Sequence, residues 1–344
     1  MVEAASLELE LDKDCRWVPD SHSGRRMEDD YILGDIIGRG ASSTVYKCLY
    51  KGKTEWACKV FKKGRLNRKM FQSEIGELLK LRHPNIVHLR DVFEIESEVQ
   101  LVLELVSGEE LFERIAGCGQ YTERDAAAAV RQVLGALQYL HSKGIIHHDI
   151  KPENILYETE DENSRLKLTD FGLNKVLHNG HLAMNTLRGT IGYCAPEILL
   201  NKESDSPVDL WSLGVIIYIM LCGFEPFWDD TGEMAMFQRI TECELNFPSP
   251  WWDEISDSAK DLITKFLQLE PSKRPTASEA LDHPWVRGET TRWHHMDSTI
   301  ERLREFNARR KFRAATHAVL ATHRAMYLIS PERKSAKKTS PPAD

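Results

Sequence analysis

His147-His148-Asp149-Ile150-Lys151-Pro152-Glu153-Asn154, followed in order by Asp170-Phe171-Gly172 and Ala195-Pro196-Glu197, is the stretch on which the reading of this chain turns. It sits in the second of two regions of different hydrophobic periodicity. Upstream, from Tyr31 to Val106, short β-prone runs (Tyr31-Ile32-Leu33, Thr44-Val45-Tyr46, Trp56-Ala57-Cys58-Lys59-Val60, Val99-Gln100-Leu101-Val102-Leu103) surround one helical stretch near Lys69 to Leu81. This predicts a small, mainly antiparallel lobe with one helix. Downstream, from Glu110 to about Trp285, apolar residues recur at three-to-four spacing in Ala126 to His141, Val208 to Cys222 and Ala259 to Leu269. A larger, mostly helical lobe is expected there, so the fold class is α+β in two lobes.

With 344 residues, 42% apolar and 28% charged, the chain can bury a large core. Its formal charge of −8 is uneven. Arg302, Arg304, Arg309, Arg310, Lys311, Arg313, Arg324, Arg333, Lys334, Lys337 and Lys338 crowd the C-terminal end, which suggests an acidic partner for that tail. Seven scattered cysteines show no Cys-x-x-Cys spacing and read as reduced thiols of a cytosolic or nuclear protein. Residues 1–28 are polar, aperiodic and unlike a secretory signal, and are expected to form a flexible arm. The most apolar run, Leu210 to Phe224, is shorter than the roughly 18 residues of a membrane span and reads as a buried core helix.

Ile37-Gly38-Arg39-Gly40-Ala41-Ser42-Ser43-Thr44-Val45 is a Gly-rich turn between strand runs, where missing side chains let backbone N–H groups approach phosphates. Lys59 follows on the next strand run, and a lysine inside a sheet needs a partner. Glu74 on the helix that follows is the natural one, with Glu77 one turn away as the alternative.

Taken in order, these motifs resemble the eukaryotic protein kinase family, and residues 31–285 match its pattern. The resemblance implies a bilobal kinase domain over 29–285, with an N-lobe at 29–106 and a C-lobe at 107–285, working with ATP and Mg2+. It implies that Asp149 takes the substrate hydroxyl proton, that Asn154 and Asp170 hold magnesium, and that Lys59, paired with Glu74, holds the α- and β-phosphates. Adenine contacts would come from the backbone around Glu104 and Val106, with Leu103 guarding the back pocket. Glu110 stands where the family contacts ribose and often a substrate arginine, and Glu113 could assist. Lys151 and the Gly189-Thr190-x-Gly192-Tyr193 stretch resemble the serine/threonine branch, with Thr190 hydrogen-bonding near Asp149 and Lys151. Glu197 would be buried against Arg274, and Asp209 would accept hydrogen bonds from the catalytic loop.

The chain departs from the pattern in four places. Ser43 replaces the third glycine, His148 an arginine, Asn174 a serine and Ile191 a proline. The arginine normally reads a phosphate on the activation segment, here Thr186, where an upstream kinase would act. Histidine can do so only when protonated, and its pKa of roughly 6.5 makes that partial near neutrality. The base, the metal ligands and the phosphate lysine all survive, which favours an enzyme over a calmodulin-binding pseudokinase scaffold.

Beyond Gly288, Thr299 to Met326 form a basic amphipathic helix with Phe312, Val319 and Met326 on one stripe. Such helices bind membranes or acidic, Met-rich grooves like that of calmodulin, and few bulky residues support the membrane. With Ser249-Pro250-Trp251-Trp252 and Cys222-Gly223-Phe224-Glu225-Pro226-Phe227, this tail resembles the calcium/calmodulin-dependent protein kinases, their type IV members most. That resemblance implies an autoinhibitory and calmodulin-binding segment at 286–329, using Arg309, Arg310, Lys311, Phe312, Arg313, Val319, Leu320 and Met326, before a disordered tail at 330–344. Protein substrates with basic residues upstream of the target Ser or Thr, a monomer without nucleic-acid or membrane partners, and residence in cytoplasm and nucleus are expected.

Overall fold

Between Tyr31 and Glu104, aromatic and β-branched residues in short runs pair into a five-stranded sheet. The computed structural model describes Trp17, Val18, Ser21, His22 and residues 25–40, 43–170 and 191–329; within these, the side chains of Arg65, Met70, Ser73, Glu74 and 317–329 lie outside the description. The strands are β1 (Tyr31–Arg39), β2 (Ser43–Tyr50), β3 (Thr54–Lys62), β4 (Leu89–Glu94) and β5 (Glu98–Glu104), ordered β1-β2-β3-β5-β4 and antiparallel throughout. Lys59 on the central strand faces Val45 in register on one side and Leu101 on the other.

Helix α1 (Arg68–Leu78) buries Phe71, Ile75 and Leu78, a stripe at helical spacing, against the sheet. It ends earlier than its periodicity suggests. After Leu78 the amides of Lys80 and Leu81 bond three residues back, and Pro84 bars continuation.

The second lobe is helical: α2 (Leu111–Gly117), α3 (Glu123–Ser142), α4 (Pro196–Leu199), α5 (Pro207–Cys222), α6 (Glu233–Glu242), α7 (Asp257–Phe266), α8 (Ala277–Leu281) and α9 (Asp297–Ile329), with a short hairpin of β6 (Ile155–Tyr157) and β7 (Leu166–Leu168). Helix α3 opens on a Thr122/Asp125 capping box, and α7 on Ser256, whose hydroxyl accepts from the Ala259 amide. Apart from Asp209 and Ser212, helix α5 is apolar, and every residue from Val208 to Cys222 except Ser212 is buried. It is the core helix expected from Leu210 to Phe224, and no described helix is long and apolar enough to cross a membrane.

Two buried acids fasten these helices. Glu123 accepts from the Ser256 amide at 2.8 Å, the Ser256 hydroxyl at 2.7 Å and the Trp285 indole at 2.9 Å. Glu197 receives a two-pronged guanidinium from Arg274 at 2.6 and 2.8 Å, the pairing the sequence led us to expect.

The N-terminal segment corrects an expectation. Residues 1–28 are expected to form a flexible arm, yet among those described Val18 is wholly buried, Met27 and Ser21 are buried, and His22 bridges to Phe93 on β4. Polar composition concealed the docking because its partners lie far along the chain.

Candidate active site

The lobes enclose a cleft of about 300 Å³ whose lining includes Ile37, Gly38, Val45, Lys59, Leu103, Glu104, Val106 and Asp170. The Gly-rich hairpin forms its roof: Gly38 faces Val45, Arg39 faces Thr44, and the Gly40 amide donates to the Ser43 carbonyl at 2.9 Å. Ala41 and Ser42 lie outside the described residues. Lys59 is 9% exposed, and its Nζ stands 2.5 Å from Asp170 Oδ1. Glu74 lies on α1 as expected, but its side chain is outside the description, so the ion pair seen at Lys59 is the one with Asp170. Glu104 lines the cleft with its carboxylate taken by Lys167 at 2.6 Å and by the His88 amide at 3.1 Å, and its own amide donates to the His88 carbonyl at 2.9 Å.

The quoted motif forms a tight loop at the mouth of this cleft. Lys151 Nζ reaches both oxygens of Asp149, at 2.9 and 2.7 Å, and Asn154 Nδ2 donates at 2.7 Å to the Asp149 carbonyl and at 2.7 Å to its carboxylate. The loop is hung on Asp209, which accepts from the amides of His147 and His148 at 2.9 Å each and from the His141 ring at 2.8 Å. Burial works to raise the Asp209 carboxyl, but His141, His147 and these donors outweigh it and hold its pKa below the usual range. Burial lowers His147 in turn, against the pull of Asp209, and favours a neutral ring. Its Nε2 lies 3.1 Å from the Thr169 carbonyl, and its Nδ1 accepts the Asp149 amide at 3.3 Å, which fits the tautomer protonated at Nε2.

Backbone is bent into the left-handed region at His148 (φ 62°) and Asp170 (φ 58°), where non-glycine residues are uncommon and cluster at working sites. The β6/β7 register sets Ile155 opposite Leu168 and brings the adjoining Asn154 and Asp170 to one end of that hairpin, joined by the Thr169 amide on the Asn154 carbonyl at 3.0 Å. One carboxylate and one carboxamide are a fitting protein share for magnesium, which keeps water and phosphate oxygens for its other positions. The lysine beside them suits a polyphosphate. Thr186 and Thr190 lie outside the described residues.

Beside Glu153 on the cleft wall lies a second group of acids, and α9 bears on them. Arg310, 11% exposed, bonds Glu110 through one nitrogen and Glu153 through the other at 2.8 Å; Lys311 pairs with Glu113, and Arg313 lies 3.8 Å from Glu225. Helix α9 is pinned lower down by Thr299 Oγ1 on the Leu221 carbonyl at 3.0 Å, Arg302 Nε on the Cys222 carbonyl at 2.6 Å, and Phe306 edge-on to Phe112. Gly223 makes this approach possible: its φ is +85°, and a Cβ there would stand 2.5 Å from the Arg302 Cβ.

Of the tail residues singled out from sequence, Arg310, Lys311 and Arg313 face acids, Arg309 pairs with Glu305 on its own helix at 2.5 Å, and Phe312 is 74% exposed. The side chains of Val319, Leu320 and Met326 lie outside the description. Sequence reasoning missed Glu153 and Glu225 as partners of tail cations. Glu153 stands inside the quoted motif and could have been found there; nothing local marks Glu225.

Residues 31–286 match the protein kinase domain family. The chain is 50% identical over 309 residues to human calcium/calmodulin-dependent protein kinase type IV, across 90% of this chain and 65% of that protein. It is 43% identical over 309 residues to the calcium/calmodulin-dependent protein kinase type 1 of Macrobrachium nipponense, across 88% of each, and 42% identical to that of Caenorhabditis elegans.

Proposed function

The chain belongs to the protein kinase family, in its calcium/calmodulin-dependent branch, and from that premise we propose that it transfers the γ-phosphoryl group of ATP to serine or threonine hydroxyls of proteins. The observation that carries this reading is Asp149, held by Lys151 and Asn154, at the mouth of a cleft whose wall bears the Lys59–Asp170 pair. Asp149 holds the proton given up by the hydroxyl. Lys151, already bonded to Asp149, is placed to face charge that builds on the transferred oxygens. Lys59 orients the nucleotide phosphates, and magnesium on Asn154 and Asp170 would neutralise their charge. Val45, Ala57 and Leu156 give the cleft its apolar walls.

Transfer of radiolabelled phosphate from ATP to a basic serine peptide, with magnesium and calcium-loaded calmodulin, tests the reading. Activity that vanishes in Asp149→Asn supports it. No transfer, even with Thr186 phosphorylated, would favour a calmodulin-binding scaffold.

The same proposal includes the switch. Arg310 on Glu110 and Glu153 occupies acids suited to a substrate arginine, so the segment around α9 would compete with protein substrates and favour those with arginine upstream of the target. Calmodulin would peel the helix away by binding Arg309, Arg310, Lys311 and Arg313 together with Phe312, whose exposure in the docked state leaves it open to first capture. Phosphorylation of Thr186 by an upstream kinase and residence in cytoplasm and nucleus belong to the proposal on sequence alone. Lys334, Lys337 and Lys338, the basic cluster behind a nuclear address, lie outside the described residues.

A further inference from the structure

The docked N-terminal arm reaches the nucleotide cleft through a continuous set of contacts. Glu94 at the end of β4 is the latch: its carboxylate accepts the Val18 amide at 2.7 Å and the Trp17 amide at 3.0 Å, and Lys63, just beyond β3, pairs with it at 3.0 Å. The Glu94 and Lys63 side chains are 3% and 9% exposed, so this is an interior charge pair. Further along, the His22 amide bonds the Val92 carbonyl at 2.9 Å, its ring meets Asp91 at 2.8 Å, and it stacks on Phe93. The arm is therefore fixed at both ends to strand β4.

From that mooring, the Trp17 ring meets Phe71 of α1 edge-on at 6.1 Å, and Phe71 in turn meets Phe61 of β3 edge-on at 6.1 Å. Phe61 lies two residues beyond Lys59, whose Nζ stands 5.6 Å from its ring centre. A second route runs through Lys63, whose Nζ lies 5.4 Å from the centre of the Trp17 ring. Helix α1 also supplies Leu78 to the wall of the cleft. Phe71 of α1 thus stands in edge-on contact with Trp17 of the arm and with Phe61 of β3. Loss of the Trp17 ring would remove one of these two contacts on the helix that supplies Leu78 to the cleft wall.

We infer that the arm from Trp17 to His22 is a positioning element of the nucleotide site, with Trp17 acting through Phe71 and Phe61 on Lys59. The inference rests on the kinase reading only in taking the cleft to hold a nucleotide. Its test uses the full chain with Trp17→Ala and Trp17→Phe, and reads ATP–Mg affinity by calorimetry, independently of turnover. Loss of one edge-to-face pair predicts binding about three- to tenfold weaker in Trp17→Ala. Trp17→Phe, which keeps a ring against Phe71, should return to within about twofold. Where turnover is measured, KM for ATP should rise and KM for the peptide should stay put. Unchanged ATP affinity in Trp17→Ala would overturn the inference. So would equal shifts in ATP and peptide constants that Trp17→Phe does not restore, since those describe a general loss of structure. A chain that binds ATP but transfers nothing would defeat the catalytic reading, and the affinities of the two variants would still decide this one.

Discussion

Replacing Arg310 by alanine should free the cleft without calcium. In the docked helix its guanidinium is 11% exposed and joins two carboxylates at once, Glu110 and Glu153. Charge-assisted bonds are worth about 1.5–3 kcal/mol each. Burial works against the arginine's charge, and the two acids outweigh it, so its pKa stands raised. Glu153 is 40% exposed, so water already screens one of the two bonds. A net loss of about 2 kcal/mol in docking is reasonable, or roughly a 30-fold shift toward the undocked helix. The assay is the initial rate on a basic serine peptide, with and without saturating calcium-loaded calmodulin. Calcium-free activity should rise by an order of magnitude or approach the calmodulin-saturated rate, and the saturated rate should hold. Arg310→Lys, which keeps charge but not the forked geometry, should fall between. An unchanged calcium-free rate in Arg310→Ala would refute the reasoning, because the helix would then restrain nothing through this contact.

Gly223→Ala should also raise calcium-free activity, since its Cβ meets Arg302 only when α9 is docked; a rise confined to the calcium-free assay checks this. Glu123→Ala strands three buried donors and should lower unfolding stability by about 3 kcal/mol in denaturant titration, with Glu123→Gln milder. His147 has a folded pKa below its ordinary value near 6.5, so the unfolded chain binds more protons and stability should fall on acidification below that value, by up to about 1.4 kcal/mol per pH unit from this group. Replacing His147 with glutamine should flatten that part of the melting-temperature profile against pH. His148→Arg should increase the activation gained from phosphorylated Thr186 and make it steadier between about pH 6 and 8; the same fold-activation as the unmutated chain across that range would count against histidine as a weak phosphate reader.

The loop around Asp149 was legible because its chemistry is packed into eight consecutive residues, and Asp209, Glu197 and Arg274 followed from the family pattern it announced. Helices α3 and α5 were legible because each carries a long periodic or nearly apolar run. Strand β4 was not: Leu89-Arg90-Asp91-Val92-Phe93-Glu94 puts three charges among three apolar residues, and it becomes a strand only by pairing with β5. The Trp17 arm was misread for a related reason. Its partner Glu94 stands 77 positions away, and a polar arm that docks looks in sequence like one that does not. The contact of Lys59 with Asp170 was not legible because it spans 111 positions. The acids under α9 needed the folded chain too, since Arg310 and Glu110 are 200 positions apart.

Helix α9 is moored to the carbonyl oxygens of Leu221 and Cys222, at the end of the most deeply buried helix in the second lobe. Those oxygens close the C-terminal end of α5, where no further turn of the helix can bond them, so α9 supplies the hydrogen bonds that α5 cannot. In amide hydrogen exchange the two helices should therefore part company. If α9 undocks as the proposed switch requires, its amides should exchange faster than those of α5, which exchange only when the whole lobe opens, and the ratio would read the population of the undocked state with no substrate present.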